Sequence, residues 1–111
     1  MKVKCLRALI FWTPPEDGGR QTLPDGARYS TVSRFDEDPL NSIDDAWSVV
    51  ITFEKSPVLQ GNPSLGSIRF LSEEAPHAKL HMGAKLQLYE GGYKVAEVKI
   101  LDDLDATSQP A

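Results

Sequence analysis

The chain has 111 residues, which is the usual size of one domain, so we expect one modest hydrophobic core and no separate substrate domain. Hydrophobic residues make up 41% and charged residues 25%, proportions that exclude a disordered or a membrane chain. Sixteen acidic and twelve scattered basic residues give a net charge of −4, which disfavours nucleic-acid binding through overall charge. A local basic patch stays possible, because side chains from several strands can converge on one face of a sheet.

Cys5 is the only cysteine, so an intramolecular disulfide and a cysteine-based zinc cluster are both excluded. It lies within an apolar alternation, which favours a small core residue over a nucleophile. The apolar run at residues 8–12 is too short to cross a bilayer, and the first residues lead into a strand pattern instead of a signal-peptide core. These features predict a cytoplasmic protein that does not enter membranes.

The first segment alternates like a strand, and both of its faces are apolar, a pattern typical of strands that are covered on both sides. Thr13, Pro14 and Pro15 end it, and a connection rich in glycine, proline and acids follows. The segment WSVVITFE is the strongest strand signal, because its residues are β-branched or aromatic. The predicted strands are residues 2–12, 27–35, 47–54, 67–72, 78–90 (with a bend or bulge at Gly83) and 93–101.

The last two strands carry the clearest hairpin signal in the chain. Gly91 and Gly92 lie between two alternating segments, and two glycines supply the positive φ angles of a type I′ turn. No stretch shows a sustained helical period, so we expect at most a short helical turn. Residues 1–101 are predicted to form one all-β domain, with a flexible polar tail at 102–111. Closing six short strands into an antiparallel barrel removes both sheet edges, so a small barrel is favoured over an open sheet.

Two motifs resemble a known domain. The first is the opening segment VKCLRALIFWTPPEDGGRQTLPDGARYSTVSRF, and the second is the closing segment GAKLQLYEGGYKVAEVKIL. Both are similar to the C-terminal β-barrel domain of elongation factor Tu, which opens with a strand, an acidic stretch and a Gly-Gly-Arg, and closes with a hairpin turning on an acid and two glycines. The two matches lie at the two ends of the chain, in the same order, and the middle aligns only as strand, loop and strand.

The resemblance implies a translation-factor-type barrel and a docking surface for a protein or ribonucleoprotein. The chain has no Gly-x-x-x-x-Gly-Lys-Ser/Thr phosphate loop, so the nucleotide site of that family, which belongs to its GTPase domain, does not carry over. The segment after Gly-Gly-Arg is short and acidic at Asp25, where the family has a longer arginine-containing turn that helps to contact aminoacyl-tRNA. The resemblance therefore implies neither GTP hydrolysis nor tRNA delivery.

The paired glycines admit two interpretations. Gly18, Gly19 and Arg20 could form a concave set of N–H groups that binds an anion. The preceding Glu16 and Asp17 would repel that anion, so we favour a structural turn in which Arg20 binds a nearby carboxylate or carbonyl. The flanking acids and prolines predict that this turn and the Gly91-Gly92 turn lie at opposite ends of one barrel.

Other candidate sites also have simpler structural interpretations. His77 and His81 are four residues apart, a metal-binding spacing on a helix, but the region looks strand-like and would separate them by about 13 Å. The acidic segment DEDPLNSIDDA lacks the glycine that a calcium loop needs. We expect a solvated loop there, with Asp44 and Asp45 as a possible docking patch for a basic partner. We predict no metal or other cofactor.

Most aromatic side chains are predicted to be core residues. Trp12, before the double proline, and Tyr93, at the hairpin tip, are the candidates for exposed contacts, because tryptophan and tyrosine are common in interface hot spots. Arg20 and Arg28 are the candidate cationic contacts.

No nucleophile-elbow or other catalytic pattern is present in the sequence, so we expect a binding module and not an enzyme. A protein partner is favoured, direct nucleic-acid binding is disfavoured, and nucleotide binding is not expected. The alternative is an acidic inhibitor or immunity-type protein whose acidic loop neutralises a basic toxin or nuclease. A small hydrolase is a third hypothesis, and it requires a concave pocket lined by convergent titratable groups.

Overall fold

The computed structural model of the protein describes residues 5–35 and 47–103, and their six strands close into one antiparallel barrel. The order around the barrel is β1-β4-β3-β2-β5-β6, and β1 pairs with both β4 and β6, so the sheet has no open edge. The predicted all-β six-stranded barrel is thereby confirmed. The strands are β1 (Leu6–Trp12), β2 (Arg28–Phe35), β3 (Trp47–Thr52), β4 (Ser64–Phe70), β5 (Lys85–Glu90) and β6 (Tyr93–Asp103).

Side chains that alternate along each strand fill the barrel. In β1 the even-numbered residues point inward and are buried, whereas Arg7, Leu9 and Phe11 point outward. Ser33 and Ser64 are the buried polar residues among those described. The largest fully buried side chains are Phe53, Phe70, Leu6, Ile10, Ile51, Ile68, Leu80, Leu86, Leu88, Ile100, Val49 and Val50.

The predicted hairpin between β5 and β6 is confirmed. Glu90 pairs with Tyr93, and Gly91 and Gly92 between them have φ angles of +56° and +88°. Positive φ at both central positions is the geometry of a type I′ turn, which matches the twist of the two strands. A bulge lies next to this turn, because Leu88 pairs with Ala96 whereas Tyr89 pairs with Lys94, which leaves Val95 as the extra residue.

Several predicted boundaries are wrong. β4 begins at Ser64, three residues before its predicted start, and a short helix, α1 (Pro57–Gln60), precedes it. Residues 78–84 are not strand: a 3₁₀ turn (His77–Lys79) and a bend at Gly83 lead into β5. The reason is tertiary, since Leu80 and Ala84 turn into the core and help to close that end of the barrel.

β6 continues to Asp103, two residues past the predicted end of the domain, and the remainder of the predicted tail lies outside the described residues. None of the helices in the described ranges has the length and apolar character needed to cross a membrane.

Candidate functional site

The candidate residues that the structure describes gather at one end of the barrel. Trp12 ends β1, Arg28 begins β2 and Tyr93 begins β6, and antiparallel pairing brings these three strand ends to the same side. The long loop that contains Arg20, residues 13–27, lies at this end, as does α1, whose Val58 N–H donates to the carbonyl of Pro24. Asp44 and Asp45, the predicted acidic contacts, lie outside the described residues.

Trp12 is not an exposed contact residue, so this part of the prediction is wrong. Its side chain is only 4% exposed and packs edge-on against Tyr29, with ring centroids 5.4 Å apart. The indole N–H donates to the hydroxyl of Ser64 at 2.9 Å, and the Asn62 side chain binds both the backbone N–H and the carbonyl of Trp12. Trp12 shares the inward parity of Leu6, Ala8 and Ile10, and this alternation was the signal that could have placed it in the core.

The Gly18-Gly19 segment is a structural turn. The N–H groups of Gly18 and Gly19 donate to the carbonyls of Pro15 and Pro14, so the turn itself uses the donors that an anion would need. Gly19 is required by close contact, because a Cβ at this position would lie 1.8 Å from the carbonyl oxygen of Thr13. The chain therefore folds tightly back onto the end of β1.

Arg20 joins this loop to the hairpin. Its guanidinium donates to the Glu90 carboxylate at 2.7 Å and to the Thr22 carbonyl at 3.0 Å, as the structural interpretation predicted. The Tyr29 hydroxyl donates to the same carboxylate, and Arg20 lies over the Tyr29 ring at 5.5 Å. The two Gly-Gly turns therefore meet at the same end of the barrel, and the prediction that they lie at opposite ends is wrong.

The pKa shifts of Arg20, Tyr29 and Glu90 favour the protonation states in which these three side chains bind each other. Burial raises the pKa of Tyr29, and the adjacent Glu90 carboxylate raises it further. Burial opposes ionisation of Glu90, but the hydrogen bonds from Tyr29 and Arg20, together with the charge of Arg20, hold the pKa of Glu90 below its ordinary value. Burial likewise opposes the charge on Arg20, and Glu90 raises the pKa of Arg20 above its ordinary value. At neutral pH, Arg20 and Glu90 are therefore ionised and Tyr29 is neutral.

Of the predicted contacts that the structure describes, Arg28 and Tyr93 have exposed side chains. Arg28 begins β2 opposite Thr52. Tyr93 is 70% exposed at the hairpin tip and lines a shallow groove of about 590 Å³ with Phe11, Pro14 and Lys94, which we call the tip groove. Tyr93 is therefore exposed to solvent beside the apolar side chain of Phe11.

The outer face of β1 carries an apolar surface, which the apolar pattern of the strand predicted to be covered. Phe11 is 44% exposed, and Leu9, two residues earlier on the same face, pairs directly with Leu65 of β4, which is 42% exposed. Leu65 lines a second groove with Leu59 of α1, which is 73% exposed. Tyr93, Phe11, Leu9, Leu65 and Leu59 thus form a chain of neighbours across the barrel wall, which we call the apolar stripe.

The signal for the stripe was present in β1, where both faces are apolar. In a closed barrel only one face of a strand points into the core, so the second apolar face of β1 lies on the outside. Sequence alone did not show whether another element would cover it.

His77 and His81 do not lie on a strand, although their sequence region looked strand-like. His77 lies in the 3₁₀ turn, packs edge-on against Phe70 with ring centroids 5.5 Å apart, and its Nε2 lies 2.9 Å from the carbonyl of Glu73. His81 follows this turn and contacts the carbonyl of Met82. Within residues 5–35 and 47–103, no three His, Cys, Asp or Glu side chains are grouped so that they could hold a metal ion.

In the comparisons with known proteins, no family model matches the chain, and no curated protein matches it in sequence.

Proposed function

We propose that this barrel is a non-catalytic binding module that docks a protein partner against the apolar stripe. The observation that carries the proposal is the row of apolar side chains from Tyr93 through Phe11 to Leu59, which are exposed except for the half-buried Leu9. Contiguous exposed apolar surface rimmed by polar groups is typical of protein interaction sites. Tyrosine and phenylalanine are also enriched at the centres of such sites.

The barrel presents this surface with little loss of conformational freedom on binding. Leu9 and Phe11 lie on a strand that is paired on both sides, and Leu65 lies on the adjoining strand. At the tip, the Arg20–Glu90 contact fixes the loop that forms one wall of the tip groove to the hairpin that forms the other. A surface that is already ordered avoids part of the entropy cost of association.

A partner in translation, protein or ribonucleoprotein, is the more specific part of the proposal. It is supported by the resemblance of the two Gly-Gly motifs to the elongation factor Tu barrel and by the agreement of the closed six-stranded fold with that resemblance. A protein partner is favoured over nucleic acid because the chain has a net charge of −4 and its stripe is apolar.

Affinity capture from an extract of the source cell tests the proposal. The tagged wild-type chain, Phe11→Ser and Leu71→Ser serve as baits at low and high salt, with and without RNase. Leu71 is a matched control, because it is a similarly exposed apolar residue that directly follows β4, at the end of the strand away from Leu65. We expect a protein retained by the wild type and by Leu71→Ser, resistant to RNase and high salt, and lost with Phe11→Ser.

Two results would argue against this function. Capture that is indifferent to Phe11→Ser would remove the stripe as the binding surface. A partner that is basic and released by high salt would instead favour the inhibitor hypothesis based on the acidic segment DEDPLNSIDDA.

A further inference from the structure

Beside the apolar stripe, the outer wall of the barrel carries a pair of lysines directly opposite each other. Lys85 of β5 and Lys99 of β6 are partners in the strand register, and both side chains are exposed. Neither ammonium group forms an ion pair with any residue in the described ranges. Like charges directly opposite each other destabilise a sheet, so folding alone does not account for this pair.

The lysines adjoin the stripe in space. Lys99 pairs on its other side with Leu9, so the row across the barrel wall is Leu65, Leu9, Lys99 and Lys85. Directly opposite residues in a sheet have Cβ atoms about 5 Å apart, which places both ammonium groups within reach of a ligand lying on Leu9 and Phe11. Phe11, Gln87, Glu97 and the two lysines line a groove of about 340 Å³, which we call the lysine groove.

The charge in the lysine groove is net positive. Glu97 is its acidic residue among those described, and the ammonium of Lys94 already donates to the Glu97 carboxylate. Among the described residues, no carboxylate pairs with either of the two opposed lysines, in a chain whose overall charge is −4. A bound carboxylate would replace the repulsion between Lys85 and Lys99 with two attractive contacts.

From this arrangement we infer that the partner segment docked on the barrel is an acidic, apolar peptide. Its apolar side chains lie on Leu9 and Phe11, and its Asp or Glu side chains lie between Lys85 and Lys99. The inference rests on the proposed function, because the stripe supplies the apolar half of the site, and it adds the charge that the partner must carry.

Selection from a phage-displayed library of random short peptides tests this inference. Parallel selections use the wild-type chain, the Lys85→Gln/Lys99→Gln variant and Phe11→Ser. A Lys79→Gln variant is the control, since it removes a lysine that lies outside both the lysine groove and the groove lined by Leu59 and Leu65. Thermal unfolding of each variant shows whether it is folded; removal of the opposed pair should leave the unfolding temperature unchanged or higher.

The expected result is that the wild type and the control select peptides enriched in both apolar residues and Asp or Glu. Lys85→Gln/Lys99→Gln should lose the acidic enrichment, keep the apolar enrichment, and bind the selected acidic peptides about tenfold more weakly at low salt. Phe11→Ser should lose the apolar enrichment.

The opposite results separate the two proposals. Apolar peptides without acidic enrichment in the wild type would overturn the inference and leave the proposed function standing. Selection that is indifferent to Phe11→Ser, or that enriches nothing, would overturn both. Tighter binding of a fluorescent oligouridine than of the selected peptides, abolished by the lysine substitutions, would assign the lysines to nucleic acid and overturn the inference.

Discussion

At the scale of single residues, the contact between Arg20 and Glu90 explains how two distant turns become one structure. The residues are 70 positions apart, and their side chains meet at 2.7 Å with the Tyr29 hydroxyl on the same carboxylate. Charge-assisted hydrogen bonds of this kind are stronger than neutral ones. The side chains of Arg20 and Glu90 are about one third exposed, so solvent reduces their contribution to roughly 1 kcal/mol.

Replacing Glu90 with Gln tests this contact through the pH dependence of stability. The pKa of Glu90 is lower in the folded chain than its ordinary value of 4.5, so its contribution to stability is present above that value and is lost as pH falls through the folded pKa. Glu90→Gln should lower the free energy of unfolding by about 1 kcal/mol at neutral pH and flatten the loss of stability below about pH 4.5. Urea unfolding at several pH values measures both effects.

Glu16→Gln is the matched control, because it removes an exposed carboxylate from the loop that contains Arg20. It should change the free energy of unfolding by less than about 0.5 kcal/mol. Parallel acid-unfolding curves for the wild type and Glu90→Gln would show that the Arg20–Glu90 contact does not stabilise the barrel.

At the scale of elements, the hairpin between β5 and β6 turns on two glycines, and we expect the two positions to differ in how well they accept substitution. Both have positive φ, and neither would bring an added Cβ within 4 Å of another residue, so only backbone strain opposes substitution. Asparagine is well accepted at the first position of a type I′ turn, whereas the second position strongly favours glycine. Comparing the stability cost of a substitution at Gly91 with that at Gly92 therefore tests the turn type.

Gly92→Ala should lower the free energy of unfolding by about 1 kcal/mol or more, because alanine is strained at a φ of +88°. Gly91→Asn should be nearly neutral, since asparagine adopts a φ near +56° readily. Chemical denaturation of both variants measures the difference. Equal stability of the two variants would contradict a type I′ turn.

The strands and the hairpin that the sequence predicted correctly are those whose sequence signals are local. Alternation and β-branched residues identified β1, β2, β3 and β6, and the Gly91-Gly92 pair identified the hairpin. The segment at residues 78–84 was misassigned because its local alternation competes with the burial of Leu80 and Ala84 at the end of the barrel. That competition is decided by tertiary packing, which local patterns do not contain.

At the scale of the whole molecule, closure of the barrel determines which candidate residues are exposed and can contact a partner. Closure turns Trp12 into the core and leaves its neighbour Phe11 on the outside, so the exposed aromatic at the end of β1 is Phe11. It also brings together the strand ends that carry Arg28 and Tyr93, although they are far apart in the chain. Sequence predicted the exposure of Tyr93, but the apolar stripe and the opposed lysines depend on register and so required the structure.

The proposed binding function requires that the apolar stripe is the surface that binds a protein. Calorimetric titration of the captured partner with the wild type, Phe11→Ser and the Leu71→Ser control tests it most directly. We predict that Phe11→Ser weakens binding by at least tenfold, about 1.4 kcal/mol, while its unfolding temperature stays close to that of the wild type and Leu71→Ser binds normally. Equal affinity of the wild type and Phe11→Ser for the partner would contradict the account.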